Sequence, residues 1–153
     1  MTTFTESPLE RHCRRYREKD LLPAVVDPIS QRILLHIGAA YGAVTMPTEL
    51  GERVLQRLRV AGLTGPVFAH PRARRWTFLT GPTRHDEFPA AAAAELFRRY
   101  TTVAGTGSQI VLPSAADEAS GYRLWVAGPD AHGTRPPQNA VIDAVCETGT
   151  HSR

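Results

Sequence analysis

Long apolar runs are missing from this sequence. Its most apolar stretches, residues 33–40 and 90–94, fall far short of the roughly 20 residues a helix needs to cross a bilayer, so no membrane span is expected. Cysteine is scarce. Cys13 and Cys146 stand near opposite ends of the chain, with no CxxC and no histidine at ligand spacing, and read as two reduced thiols rather than a disulfide. The opening residues, Met1-Thr2-Thr3-Phe4-Thr5-Glu6, lack the basic residue and apolar run of a secretory signal, and a cytoplasmic location is expected. Lysine is nearly absent: of the 18 basic residues, all but Lys19 are arginine. Together with the abundant alanine, this is the composition of a high-GC genome such as an actinobacterium's. The net charge of +3 is therefore weak evidence for a nucleic-acid partner.

What is present fits one core. At 153 residues and 42% hydrophobic, the chain reads as a single domain over residues 1–153, with no internal repeat or linker. Ser7-Pro8-Leu9-Glu10 carries the N-cap, N1 proline and N3 glutamate of a capping box, which predicts a basic N-terminal helix over residues 8–19. Short Val- and Ile-rich runs at 23–27, 31–38 and 40–46, punctuated by Pro, Asp and Gly, predict a hairpin-like β region. Over 47–61, Leu50, Val54, Leu55 and Leu58 share a helical face, and Gly62 follows as a C-cap. Runs at 66–70 and 75–81, joined by Pro71-Arg72-Ala73-Arg74, predict a second hairpin. Residues 88–100 hold five consecutive alanines and should be helical. A strand pair is expected at 108–112 and 122–126, around a polar loop at 113–121. A closing helix over 137–146 presents Val141, Ile142 and Val145 on one stripe, and residues 147–153 should fray. The fold class is α/β or α+β: a curved, mainly antiparallel sheet flanked by helices.

Metal-assisted phosphoryl transfer needs carboxylates converging on cations about 4 Å apart. The strands at 40–46, 66–70, 75–81, 108–112 and 122–126 contain no acidic residue, and Asp27 stands alone at a strand end. The six histidines are scattered with no HxH or HExxH spacing; His36 reads as a strand residue and His85-Asp86-Glu87 as a solvated loop. Gly105-Thr106-Gly107 lacks the GKS/T end of a phosphate loop. No metal, catalytic residue or cofactor is expected.

Arg72, Arg74 and Arg75 leading into Trp76 form the most informative polar cluster. Arginines pair phosphates while an aromatic stacks on a base, which is how single strands are held. Strand alternation also puts Trp76 on a face with Phe78 and Thr80, so a core role for Trp76 stays open. A second basic group, Arg11, Arg14, Arg15, Arg17 and Lys19, lies on the first helix and reads as a solvated face or a protein-docking surface.

The order of signals from Ala40 to Trp125 resembles the primase-polymerase domain of the archaeo-eukaryotic primase superfamily, in the form of the actinobacterial bifunctional primase/polymerase proteins. The residues that carry the likeness begin with the strand into Met46-Pro47 and the helix through Leu58. Gly65-Pro66-Val67 follows, then Trp76-Thr77-Phe78-Leu79 with Gly81-Pro82. Gly105 to Ser114 and Gly121-Tyr122-Arg123-Leu124-Trp125 look similar to the family's glycine-rich strand and closing strand. Active members carry an Asp-x-Asp-type pair on the first core strand, where this chain reads Ala40-Tyr41-Gly42-Ala43-Val44-Thr45-Met46. Where the family has a nucleotide-contacting histidine, this chain has Arg74, Arg75 and Trp76. Where it has a further metal-binding aspartate, Tyr100 to Ala104 supply no acid. The resemblance implies a primase-polymerase-like core without polymerase activity: an accessory or regulatory module for nucleic acid or a nucleotide. The alternative is a protein-interaction module docking through the first helix.

Overall fold

The computed structural model describes residues 5–83 and 90–149. Helix α1 (Pro8–Glu18) opens where the capping box places it. The Ser7 hydroxyl accepts the Glu10 N–H at 3.1 Å, and the Glu10 carboxylate accepts the Ser7 N–H at 3.5 Å. Strands β1 (Ala24–Asp27) and β2 (Arg32–His36) form an antiparallel hairpin whose turn is tied by the Asp27 carboxylate, which accepts from Ile29 N–H, Ser30 N–H and the Ser30 hydroxyl. Strand β3 (Gly42–Pro47) runs into helix α2 (Thr48–Val60). After it Gly62 takes a left-handed φ of 74°, and Leu63 N–H reaches back to Leu58 O at 2.8 Å, closing the helix as the sequence predicts.

Strand β4 (Val67–His70), one 3₁₀ turn (Pro71–Ala73) and β5 (Arg75–Thr80) make the second hairpin. Helix α3 (Ala90–Arg98) precedes β6 (Thr102–Val103), β7 (Gln109–Leu112), helix α4 (Ala115–Ser120), β8 (Leu124–Ala127) and helix α5 (Gln138–Gly149).

The α+β class is as expected, but the strands form two sheets rather than one. β1-β2-β7 make a three-stranded sheet and β6-β3-β5-β4-β8 a five-stranded one, every pair antiparallel. The chain changes sheet between β2 and β3, around a turn in which Gly38 N–H meets Tyr41 O at 3.1 Å. Nor do residues 108–112 and 122–126 pair with each other. β7 joins β2 and β8 joins β4, because the intervening loop holds α4, capped at both ends. Ser114 and Asp117 form its capping box, and Gly121 at φ 75° ends it. That capping box has the same spacing as Ser7 to Glu10, and it makes a helix of part of the segment expected to be a polar loop. The fraying expected from residue 147 is also corrected for the described residues. α5 continues to Gly149, Thr148 is buried, and Glu147 accepts from Arg57 at 2.8 Å.

Alternation along β3, β4 and β5 sends neighbouring side chains to opposite faces. Val44, Met46, Val67 and Phe78 meet Val54, Leu55 and Leu58 of α2, Leu96 of α3 and Val141, Ile142 and Val145 of α5. Ala43, Phe68 and Leu79 face the other way, onto Ile33, Leu35 and Leu112 of the smaller sheet and Cys13 and Tyr16 of α1. The layers therefore run from helices to large sheet to small sheet. Cys13 and Cys146 belong to different clusters, on opposite sides of the large sheet, and both are unpaired.

Leu58 is 4% exposed. Leu58→Ala is expected to cost about 2–5 kcal/mol in denaturant melts, as cavity-forming core truncations do. A loss below about 0.5 kcal/mol, the scale of surface changes, would contradict this packing.

Candidate nucleic-acid interface at the β4–β5 turn

The β4–β5 hairpin is short because its connection is one 3₁₀ turn closed by Arg74. That residue takes the left-handed conformation (φ 54°) and donates its N–H to Pro71 O at 3.1 Å. The turn throws Arg72 and Arg74 into solvent. Arg72 is not isolated there. Its guanidinium carbon lies 5.7 Å from the centre of the Tyr122 ring, just before β8. Arg123 places its own guanidinium 4.6 Å from the same ring, and the His70 imidazole packs edge-on at 4.8 Å. Three cationic or titratable side chains thus surround one aromatic ring, an arrangement favoured by the ring's negative face. One carboxylate is hydrogen-bonded into the cluster: Asp117 of α4, 3.2 Å from Arg123.

β5 divides the four residues marked by the sequence. Arg75 is half-buried and turns back to donate to Thr45 O at 3.2 Å. Trp76 pairs with Met46 and Ala69, which directs it to the helical face, away from the arginines. A Cβ added at Gly51 would stand 2.9 Å from Trp76 Cε3, so the indole lies directly against α2. Of the two readings open for Trp76, the core one fits this contact, and Trp76 does not share the arginines' surface. Arg74 makes no side-chain hydrogen bond or ion pair among the described residues.

His70, Tyr122 and Arg123 were missed as site residues. Their meeting depends on β8 pairing with β4 rather than β7, with Ala69 opposite Leu124, and no spacing along the chain specifies that partner.

The basic group on α1 is also divided. Arg14 pairs with Glu6 at 3.1 Å, while Arg17 donates to Cys13 Sγ at 3.1 Å and Ala24 O at 3.0 Å, tying the helix to β1. Arg11, Arg15 and Lys19 remain exposed at a spacing of four, one helical face.

On the first core strand, where the resemblance places the family's carboxylate pair, the side chains are packed, and the glycine turn that resembles part of a phosphate loop is self-satisfied. Ala43 is buried under the small sheet, and Thr45 shares a 2.9 Å hydroxyl contact with Thr77. The Gly105-Thr106-Gly107 turn bonds to itself and to Ile37, with Gly107 N–H on Ile37 O at 2.8 Å. Among the described residues, no three His, Cys, Asp or Glu side chains are grouped to hold a metal ion. His85, Asp86 and Glu87 lie outside the described residues.

Comparison of the chain with protein-family models, curated proteins and solved structures found no match.

Burial holds the His70 pKa below its ordinary value of 6.5. Arg123 and Arg72 lower it further and Asp117 opposes them. The unfolded chain therefore takes this proton first. Stability associated with neutral His70 is fully present above 6.5 and is lost as pH falls from there through the lower folded value. In an NMR titration, Arg123→Gln should raise the His70 pKa toward 6.5 and Asp117→Asn should lower it. Unchanged values in both variants would mean that the three groups do not share one field.

Proposed function

We propose that the chain is a non-catalytic, primase-polymerase-like accessory module that holds single-stranded nucleic acid by its phosphates on the β4–β5 turn. The observation that carries this reading is the crowding of Arg72, Arg123 and His70 around Tyr122 with one carboxylate hydrogen-bonded among them, and an exposed Arg74 on the same turn as Arg72 with no side-chain hydrogen bond or ion pair among the described residues. Arg72 and Arg123 are like charges gathered on one surface, with Asp117 paired to Arg123, and a bound phosphate relieves their repulsion while accepting the guanidinium donors. Arginine presents its donors in a planar fork matched to phosphate oxygens. Arg75 and Trp76 support the turn from within and do not touch the strand.

The resemblance supports a primase-polymerase ancestry through its order of strands and turns. The face carrying Ala43, Thr45 and Leu79 carries no carboxylate from β3, β4 or β5 and packs largely on the small sheet, which supports binding without polymerisation. No nucleotide incorporation on a primed template is expected, and template-dependent extension would contradict the non-catalytic part of the reading. The exposed row of Arg11, Arg15 and Lys19 favours a second reading, docking of α1 on an acidic protein surface.

Fluorescence anisotropy with a labelled oligonucleotide across a salt series separates the two. Each neutralised phosphate contributes a log-log slope of about −0.7 on single strands, so changing Arg72, Arg74 and Arg123 together to Gln should flatten the slope by roughly two units. Trp76→Phe should leave both slope and affinity unchanged. Absence of binding at low salt, or a triple variant that binds as the parent does, would remove the nucleic-acid reading and leave the α1 surface.

A further inference from the structure

A cleft of about 280 Å³ opens between α1, α4 and β8, and none of its lining residues belongs to the arginine cluster. Its lining includes the rings of Tyr16 and Trp125 and four polar side chains: His12, Arg15, Asp20 and Glu118. The aromatic donors are already used. Tyr16 gives its hydroxyl proton to Pro113 O at 2.6 Å, and the Trp125 indole N–H donates to the Tyr16 oxygen at 3.0 Å. These bonds fix the two rings 6.0 Å apart at 71°, and the His12 ring packs 4.8 Å from Tyr16. Tyr16 is 3% exposed and backs the cleft from the core, so to a guest the partly buried Trp125 offers π surface rather than its N–H group.

Asp20 and Glu118 come from different elements and converge here, and neither makes a hydrogen bond or ion pair among the described residues. Arg15 is close enough to influence the charge state of both His12 and Asp20, but it closes no ion pair with either carboxylate. The cleft thus combines spare acceptors, the partly exposed Trp125 ring and a size below the about 300–1,000 Å³ of pockets that enclose drug-sized ligands. An anion would meet two carboxylates against the single Arg15. An uncharged guest would leave both unsatisfied. A planar organic cation satisfies all three features, because it stacks on aromatic rings and gives paired donors to carboxylates.

We propose that this cleft receives a guanidinium group of side-chain size. The inference does not rest on nucleic-acid binding at the β4–β5 turn, and its test reads a different part of the molecule.

The test is NMR titration of the ¹⁵N-labelled protein with N-acetylargininamide, which presents the side chain as in a peptide, and with free arginine, which presents it as a metabolite. N-acetylcitrullinamide serves as the uncharged isostere. Saturable shifts of the Trp125 indole N–H and the Glu118 amide are expected with at least one arginine compound, and tighter binding by one of them identifies the source. The citrulline compound should bind about tenfold more weakly, since a modest cation–π contact and an exposed ion pair together make a difference of that order. Asp20→Asn and Glu118→Gln should each weaken binding severalfold; both replace partly or fully exposed side chains, so the fold should persist. The proposal is overturned by equal binding of the citrulline compound, by parental affinity in both variants, or by no saturable shift with either arginine compound.

Discussion

Strand β5 is covered on both faces, and the arrangement of the molecule follows from that constraint. Phe78 points into the helical layer and Leu79, one residue on, into the small sheet; each is at most 1% exposed. Flanked by β3 and β4, β5 has its backbone groups consumed as well. A strand in this position cannot carry charge along its length, because burying an unpaired charge costs several kcal/mol or more. Charge can appear only where the strand emerges. β5 emerges at the 3₁₀ turn, and the arginines of the hairpin gather there.

The same constraint explains the division of labour within Arg72-Ala73-Arg74-Arg75-Trp76. The last residues inside the sheet, Arg75 and Trp76, are committed to the backbone of β3 and to the surface of α2. Arg72 and Arg74, just outside, are exposed, and Tyr122 and Arg123, which lead into β8 on the far side of β4, stand with Arg72. Asp117 reaches the cluster because α4 ends immediately before Tyr122, so the short helix in the loop sets the charge balance at the turn. On the opposite face, the small sheet and α1 lie over Ala43, Phe68 and Leu79.

Elements with local punctuation were legible in the sequence. Ser7-Pro8-Leu9-Glu10 fixed the start of α1, Gly62 the end of α2, and the spacing of Val54, Leu55 and Leu58 its buried face. Pro71 to Arg74 marked the second hairpin. The long-range pairings were not legible. Residues 108–112 and 122–126 are similar short apolar runs, and nothing local records that one belongs to β2 and the other to β4. The site divided along the same line. Arg72 and Arg74 could be named from the turn alone, whereas His70, Tyr122 and Arg123 become neighbours only through the β4–β8 pairing. Trp76 was ambiguous for a physical reason: an aromatic after arginines looks alike whether it faces a helix or a base, and the contact with Gly51 decides it.

The central claim is that nucleic acid meets the chain at the end of β5 and not along α1. It is tested most directly by mapping amide shifts of the ¹⁵N-labelled protein as a short single-stranded oligonucleotide is added at low salt. The account predicts that the largest shifts fall on His70 to Arg75 and on Tyr122 and Arg123, with residues of α2 and α5 unmoved. Shifts gathered on Arg11, Arg15 and their neighbours in α1, with the β4–β5 turn unmoved, would contradict it.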